Sequence, residues 1–379
     1  MSAVSIRSVG AAAFAAMLAS FFLPEPARAA DPFESAERCG ECHRDIHRGW
    51  KKSAHAQSLE DPVFQQALQA AGNSLGAADR KLCFSCHAPT TLLSGDYALQ
   101  KKVTWEGVNC DFCHSITAVT LGDPMTAYTT KPGPVQRGPI ENAASNGHEV
   151  EYSALFTDAL LCAGCHEYRP EGAEAVLTTY SEWKESPYEA EGVTCQSCHM
   201  SLVRANVVDP KIQRVSSSNV NLHEVPGGHS LDQLLTAVRV GLDAQRAADS
   251  LTVTVKLANV GAGHSMPTGF PSRSVVLEVQ VASAGRQLRA ERRFERTLFD
   301  AAGAPITGDV DVITKPASSA TDTRLRPREE RVERFTFPME ESSSATVTAR
   351  LRYVHMPLRG EPPASDQVFY SERRFVKAR

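Results

Sequence analysis

Cys39-Gly-Glu-Cys42-His43, Cys83-Phe-Ser-Cys86-His87, Cys110-Asp-Phe-Cys113-His114, Cys162-Ala-Gly-Cys165-His166 and Cys195-Gln-Ser-Cys198-His199 are five copies of one pattern. Together they use all ten cysteines of a 379-residue chain. Cys-x-x-Cys-His is the attachment pattern of a c-type haem. Two thiols three positions apart can each bond one vinyl-derived carbon on the same porphyrin edge. The adjacent His then lies under the ring and supplies an axial nitrogen to iron. A single copy also fits half a zinc site or a redox dithiol. Five copies with no cysteine left over, each followed directly by His, leave covalent haem as the reading. The expectation is five c-type haems on those ten cysteines, with His43, His87, His114, His166 and His199 as proximal iron ligands.

The chain has twelve histidines, so seven lie outside the motifs. Five more imidazoles would close the sixth position of every iron. The expected distal ligands are His55, His148, His223, His229 and His264. His55 lies in Trp50-Lys-Lys-Ser-Ala-His55, and His148 follows a Pro/Gly-rich stretch. His223 and His229 bracket Glu-Val-Pro-Gly-Gly, and His264 sits in the glycine-rich Gly261–Gly269 segment. His47, one helical turn past His43, is expected over the edge of the first haem. His355 ends a strand pattern and reads as a surface residue. Met200, Met266 and Met356 are alternative thioether ligands, though Met more often packs.

The N-terminus reads as a targeting segment. Arg7 precedes an uncharged apolar run from Val9 to Leu23, broken by Pro24 and Pro26 and followed by Ala27-Arg28-Ala29. The run is too short to span a bilayer and ends in a small-x-small cleavage pattern. A signal peptide over residues 1–29 implies a periplasmic or extracellular protein with no transmembrane segment in the mature chain. Hydrophobic content of 42% with 22% charge excludes a disordered chain. A pI near 6.3 gives no general attraction to nucleic acid. Residues 30–230 hold 25 acidic and 16 basic side chains, and residues 231–379 hold 18 and 22. Haem propionates make the first half more acidic still, a field that would steer basic redox partners.

Two stretches repeat. Trp50-Lys-Lys-Ser-Ala-His55 parallels Trp183-Lys-Glu-Ser-Pro-Tyr188, and Glu106-Gly-Val-Asn-Cys110 parallels Glu191-Gly-Val-Thr-Cys195. Residues 39–114 and 162–199 thus read as two versions of one haem-packing unit, with Tyr188 at the place of His55. That Tyr is expected to pack or hydrogen-bond rather than ligate. Short helices are expected from Pro62 to Gly72 and within 152–161, and a long loop over 120–147. From Ser230 the pattern changes. A capping box opens a helix expected to run through Leu242. Period-two runs follow at 251–257, 274–281, 331–337 and 345–354. The expected fold is mixed: a haem-packed cytochrome domain of mostly short helices and loops over 30–230, followed by a helix plus an all-β, sandwich-like domain over 231–379.

Cys-x-x-Cys-His followed by Trp50 and Ser53-Ala-His55 resembles the multihaem cytochromes of the c-554 type. Arg137-Gly-Pro139, His148, Cys162–Tyr168, Pro226–His229 and Gly263–Gly269 resemble exported multihaem cytochromes with a C-terminal β-domain. The resemblance covers about residues 36–275. It implies parallel or perpendicular haem pairs, mostly bis-His iron, and electron transfer. The expected function is an exported pentahaem carrier between redox partner proteins. Two alternatives stand beside it. One is a reductase or oxidase of small nitrogen or sulfur compounds with one open haem, its pocket lined by Tyr188, Arg273 or His47. The other is a subunit of a polymeric cytochrome wire. The carrier reading assigns no catalytic residue.

Overall fold

A computed structural model describes residues 31–72, 77–122, 126–213, 217–358 and 360–378. The expected signal peptide lies outside the described residues.

The first half is a string of short helices. Four of them end on a motif histidine: Ala77–His87, Cys110–His114, Leu160–His166 and Cys195–His199. The first motif bridges Ala36–Gly40 and Arg44–Trp50. A single helical turn suffices, because positions three apart share a face and both thiols then point one way. The expected helix Pro62–Gly72 is present, with Asp61 Oδ1 accepting from the backbone N of Val63 and Phe64. The apolar residues here fall into small separate clusters, such as Phe33, Val103, Phe112 and Ile116, or Leu59, Phe84 and Ala88.

Two expectations for this half need correction. Residues 120–147 are not all loop. Ala127–Thr130 pairs antiparallel with Ile116–Thr120, and Val135–Gly138 pairs parallel with Glu149–Tyr152. The 152–161 stretch is the end of that strand, a 3-10 turn at Ala154–Thr157, and the start of Leu160–His166.

The second half is β. Its opening helix, Leu231–Ala237, is capped by Ser230, whose Oγ accepts from Gln233 N at 3.3 Å. It stops five residues short of Leu242, because Val238–Arg246 is already a strand. Its β-branched Val238 and Val240 fit a half-buried strand better than a helix turn. That strand joins Ser250–Asn259 and Glu330–Pro338 in one antiparallel sheet. A second sheet is built on Arg286–Phe299, Arg273–Ser283, Ala345–His355 and Ser365–Val376. Alternate residues of both sheets line one large core, with Val253 and Val255 from the first and Val279, Val347 and Leu351 from the second.

Contacts cross residue 230 freely. Tyr168 and Val176 share a cluster with Leu298, Ile306 and Val312. Arg296 Nη1 donates to Ala175 O at 2.6 Å.

Candidate haem sites

The two repeats fold alike, and their shared bonds fix where the motifs start. Trp50 Nε1 donates to Val108 O at 2.9 Å, and Trp183 Nε1 donates to Val193 O at 2.8 Å. Gly107 and Gly192 stand at φ +62° and +69°, the left-handed region that glycine enters at least cost. The next turn is capped by Asn109 in one repeat and Thr194 in the other. The indole therefore clamps the chain just ahead of Cys110 or Cys195. The middle of the fourth motif is tight. A Cβ on Gly164 would stand 2.1 Å from the Tyr128 ring, and Tyr128 Oη donates to Leu161 O.

The imidazoles are held by their Nδ1 atoms. His43 Nδ1 bonds Val207 O at 2.7 Å, His87 Nδ1 bonds Ser58 O at 2.8 Å, and His199 Nδ1 bonds Pro226 O at 2.6 Å. His114 Nδ1 bonds Arg137 O. Outside the motifs, His148, His223 and His264 do the same with the carbonyls of Glu149, Asn221 and Ser265, each at 2.9 Å. A carbonyl only accepts, so Nδ1 carries the proton and Nε2 keeps its lone pair.

The structure pairs four motif histidines with four of the expected distal ones. Ring centroids lie 6.1 Å apart for His43 and His148, and 6.4 Å for His166 and His55. The spacing is 6.2 Å both for His114 with His223 and for His199 with His264. Packed rings sit closer, as Phe64 does on His87 at 3.9 Å. Two metal–imidazole bonds of about 2 Å, with about 1 Å from each nitrogen to its ring centre, span roughly 6 Å. These pairs thus fit one iron between them. For five of these rings, His55, His114, His166, His223 and His264, burial favours the neutral form, the one that ligates metal. It takes His166 down to about 3, helped by His55 and His199, and His223 down to about 4. His55, His87, His114 and His264 are lowered by burial as well.

The thiols show which motifs are neighbours. Cys39 faces Cys110, Cys86 faces Cys165, and Cys162 faces Cys195. Cys113 lies within the electrostatic reach of Cys162 and Cys165. The first motif thus adjoins the third, and the second, third and fifth each adjoin the fourth.

The remaining candidates sit elsewhere. His229 is exposed, with Arg273, His355 and Asp61 as its ionisable neighbours, and no ring contact joins it to another imidazole among the described residues. His87 shares the neighbours Arg273 and Asp61. His47 packs on Trp50, with Nε2 3.8 Å from Glu37. His355 is not the surface residue expected. It is 8% exposed and its Nε2 lies 3.2 Å from Asp309 Oδ2, because its strand end is covered by the Asp309–Thr314 helix segment. Met266 is in the β core, and Met356 is exposed. Tyr188 is turned away from ligand duty: its Oη donates to Val260 O at 2.6 Å and its ring stacks under Arg328.

Sequence reasoning missed the carbonyl acceptors, since every residue carries one and only the fold selects which meets a histidine. It also missed Glu182, whose carboxylate joins the two halves, and Phe64 and Phe156, which stack on His87 and His114.

A family model described as cytochrome c554 and c-prime matches residues 38–115. Cytochrome c-554 of Nitrosomonas europaea is 26% identical over 167 residues, which is 41% of this chain and 68% of that protein. The crystal structure of a penta-haem cytochrome c552 from Thermochromatium tepidum superposes with a TM-score of 0.72 at 23% identity. It covers 91% of this chain and 99% of its own, a likeness of fold.

Proposed function

We propose that the chain is a multihaem c-type cytochrome that acts as an exported five-haem electron carrier. The haems attach at Cys39/Cys42, Cys83/Cys86, Cys110/Cys113, Cys162/Cys165 and Cys195/Cys198, each over its own motif histidine. His148, His223, His55 and His264 supply the second imidazole to the haems of the first, third, fourth and fifth motifs. The observation that carries the reading is the four imidazole pairs at 6.1 to 6.4 Å. A bis-imidazole haem exchanges electrons but offers no position to a substrate. The adjacent thiols of different motifs support short electron paths between neighbouring haems. His229 is the remaining ligand for the second motif, within the surroundings that it shares with His87.

Export follows from the segment 1–29, and redox proteins are the partners. Among the described residues, no helix is long and apolar enough to cross a membrane. Intact mass of the mature holoprotein tests the haem count and the cleavage together. The expected value is a chain beginning near residue 30 plus five haems, and four haems or fewer in a fully matured sample contradicts the proposal.

One observation favours a second reading. No imidazole faces His87 among the described residues, while Arg273, Asp61 and Asp309 lie around it. With that sixth position open, the same molecule becomes a reductase or oxidase of a small nitrogen or sulfur compound, with Arg273 beside the iron. Carbon monoxide added to the reduced protein separates the two: no spectral change for the carrier, one CO-bound haem per chain for the enzyme.

A further inference from the structure

The segment 261–269 comes from the β half, yet a side chain of the haem half holds it. Glu182, on the helix Thr179–Lys184, is 11% exposed and reaches across the junction. Its Oε2 accepts from Ser265 N at 3.0 Å and from Thr268 Oγ1 at 2.9 Å. Its Oε1 accepts from Thr178 Oγ1 at 2.6 Å and pairs with Arg324 Nη2 at 2.7 Å. Arg324 is 5% exposed and is itself held by both oxygens of Asp322, at 2.9 and 2.6 Å. It also donates to Pro267 O at 3.3 Å.

This clasp acts on one peptide in particular. Glu182 takes the N–H of the peptide joining His264 to Ser265, and the next carbonyl, Ser265 O, accepts His264 Nδ1 at 2.9 Å. Gly261 and Gly263 precede His264, and within the β half Asn259 braces the loop, its Oδ1 accepting from Ala262 N at 3.1 Å and its Nδ2 donating to His264 O at 2.9 Å. A ligating imidazole needs its other nitrogen fixed to keep the ring aimed at the metal. Here the N–H side of that peptide is held by a carboxylate from the other half of the molecule.

We propose that Glu182 is the positioning residue for His264, so that ligation of the fifth-motif haem depends on docking of the β half against the helix Thr179–Lys184. The proposal rests on the reading of His264 as the ligand opposite His199. Arg324, itself held by Asp322, orients the buried carboxylate, and Ser265 transmits its position to the ring.

The test uses the full-length holoprotein, with electron paramagnetic resonance, the reduced-plus-CO spectrum and a redox titration of each variant. Glu182→Ala is expected to convert one haem per chain to a high-spin, CO-binding form and to leave the others unchanged. His264→Ala, run in parallel, should give the same spectrum. Glu182→Gln keeps an acceptor for Ser265 N. It should stay low-spin while the midpoint potential of one haem rises, because an anion that favours ferric iron has been removed. If His264→Ala loses a low-spin haem but Glu182→Ala matches wild type, the positioning proposal is overturned alone. If His264→Ala matches wild type, the ligand reading beneath it is overturned. Should Glu182→Ala yield no holoprotein, Glu182→Gln decides: no shift in any potential overturns the proposal.

Discussion

Seven histidines donate Nδ1 to a backbone carbonyl, and that bond explains their placement better than sequence context does. The motif histidines were legible because covalent chemistry dictates their spacing. The partner of each was not legible, since pairing His43 with His148 depends on chain packing across a hundred residues. Replacing His55, His148 or His223 by Ala should each create one high-spin, CO-binding haem, whereas His47→Ala should create none. Low-temperature resonance spectra of the holoproteins check this. A carboxylate sets a separate pH dependence. Asp96 is buried, which by itself would raise it, but bonds from Gln100 N, Lys101 N and Thr104 Oγ1 hold its carboxyl below the ordinary value. A lowered folded-state value contributes stability above the unfolded value and loses it as pH falls through the folded one. Asp96→Asn should therefore cost about 1–2 kcal/mol at neutral pH, and the difference should fade below about pH 4. Denaturant titrations at several pH values measure it.

At the scale of elements, the repeated Trp and Glu-Gly-Val stretches fold alike, because each device is local: an indole, a glycine with positive φ, a cap. Trp183→Phe keeps the ring but leaves Val193 O without its donor. It should lower stability by about 1–2 kcal/mol and loosen the start of the fifth motif. Chemical denaturation followed at the haem band checks the loss. The strands 250–259 and 273–283 were legible from apolar alternation, since one face of each lines the β core. Arg286–Phe299 was not, because it carries Arg and Glu along much of its length. Those charges find partners: Arg292 with Glu333 of the other sheet, and Arg289 with Glu278 on the neighbouring strand. Cross-strand ion pairs make a strand without an apolar pattern. The helix expected through Leu242 failed for a related reason, as a cap marks where a helix starts and says nothing about where it stops.

For the whole molecule, the two halves are stabilised differently. The β half has one continuous core shared by two sheets, while the haem half has small clusters separated by the motifs. Such clusters bury too little to offset chain entropy without the porphyrins. Full-length protein made without haem attachment should lose residues 32–230 to limited proteolysis and keep a protected fragment from 231 onward. A resistant apo first half would contradict this. The central claim is that four haems are closed by paired imidazoles. It is tested most directly by counting low-spin iron in the ferric holoprotein, by spin quantification and near-infrared magnetic circular dichroism. The account predicts at least four bis-imidazole irons per chain, with the haem over His87 as the one whose state separates carrier from enzyme. Three or fewer in a fully loaded sample would contradict it.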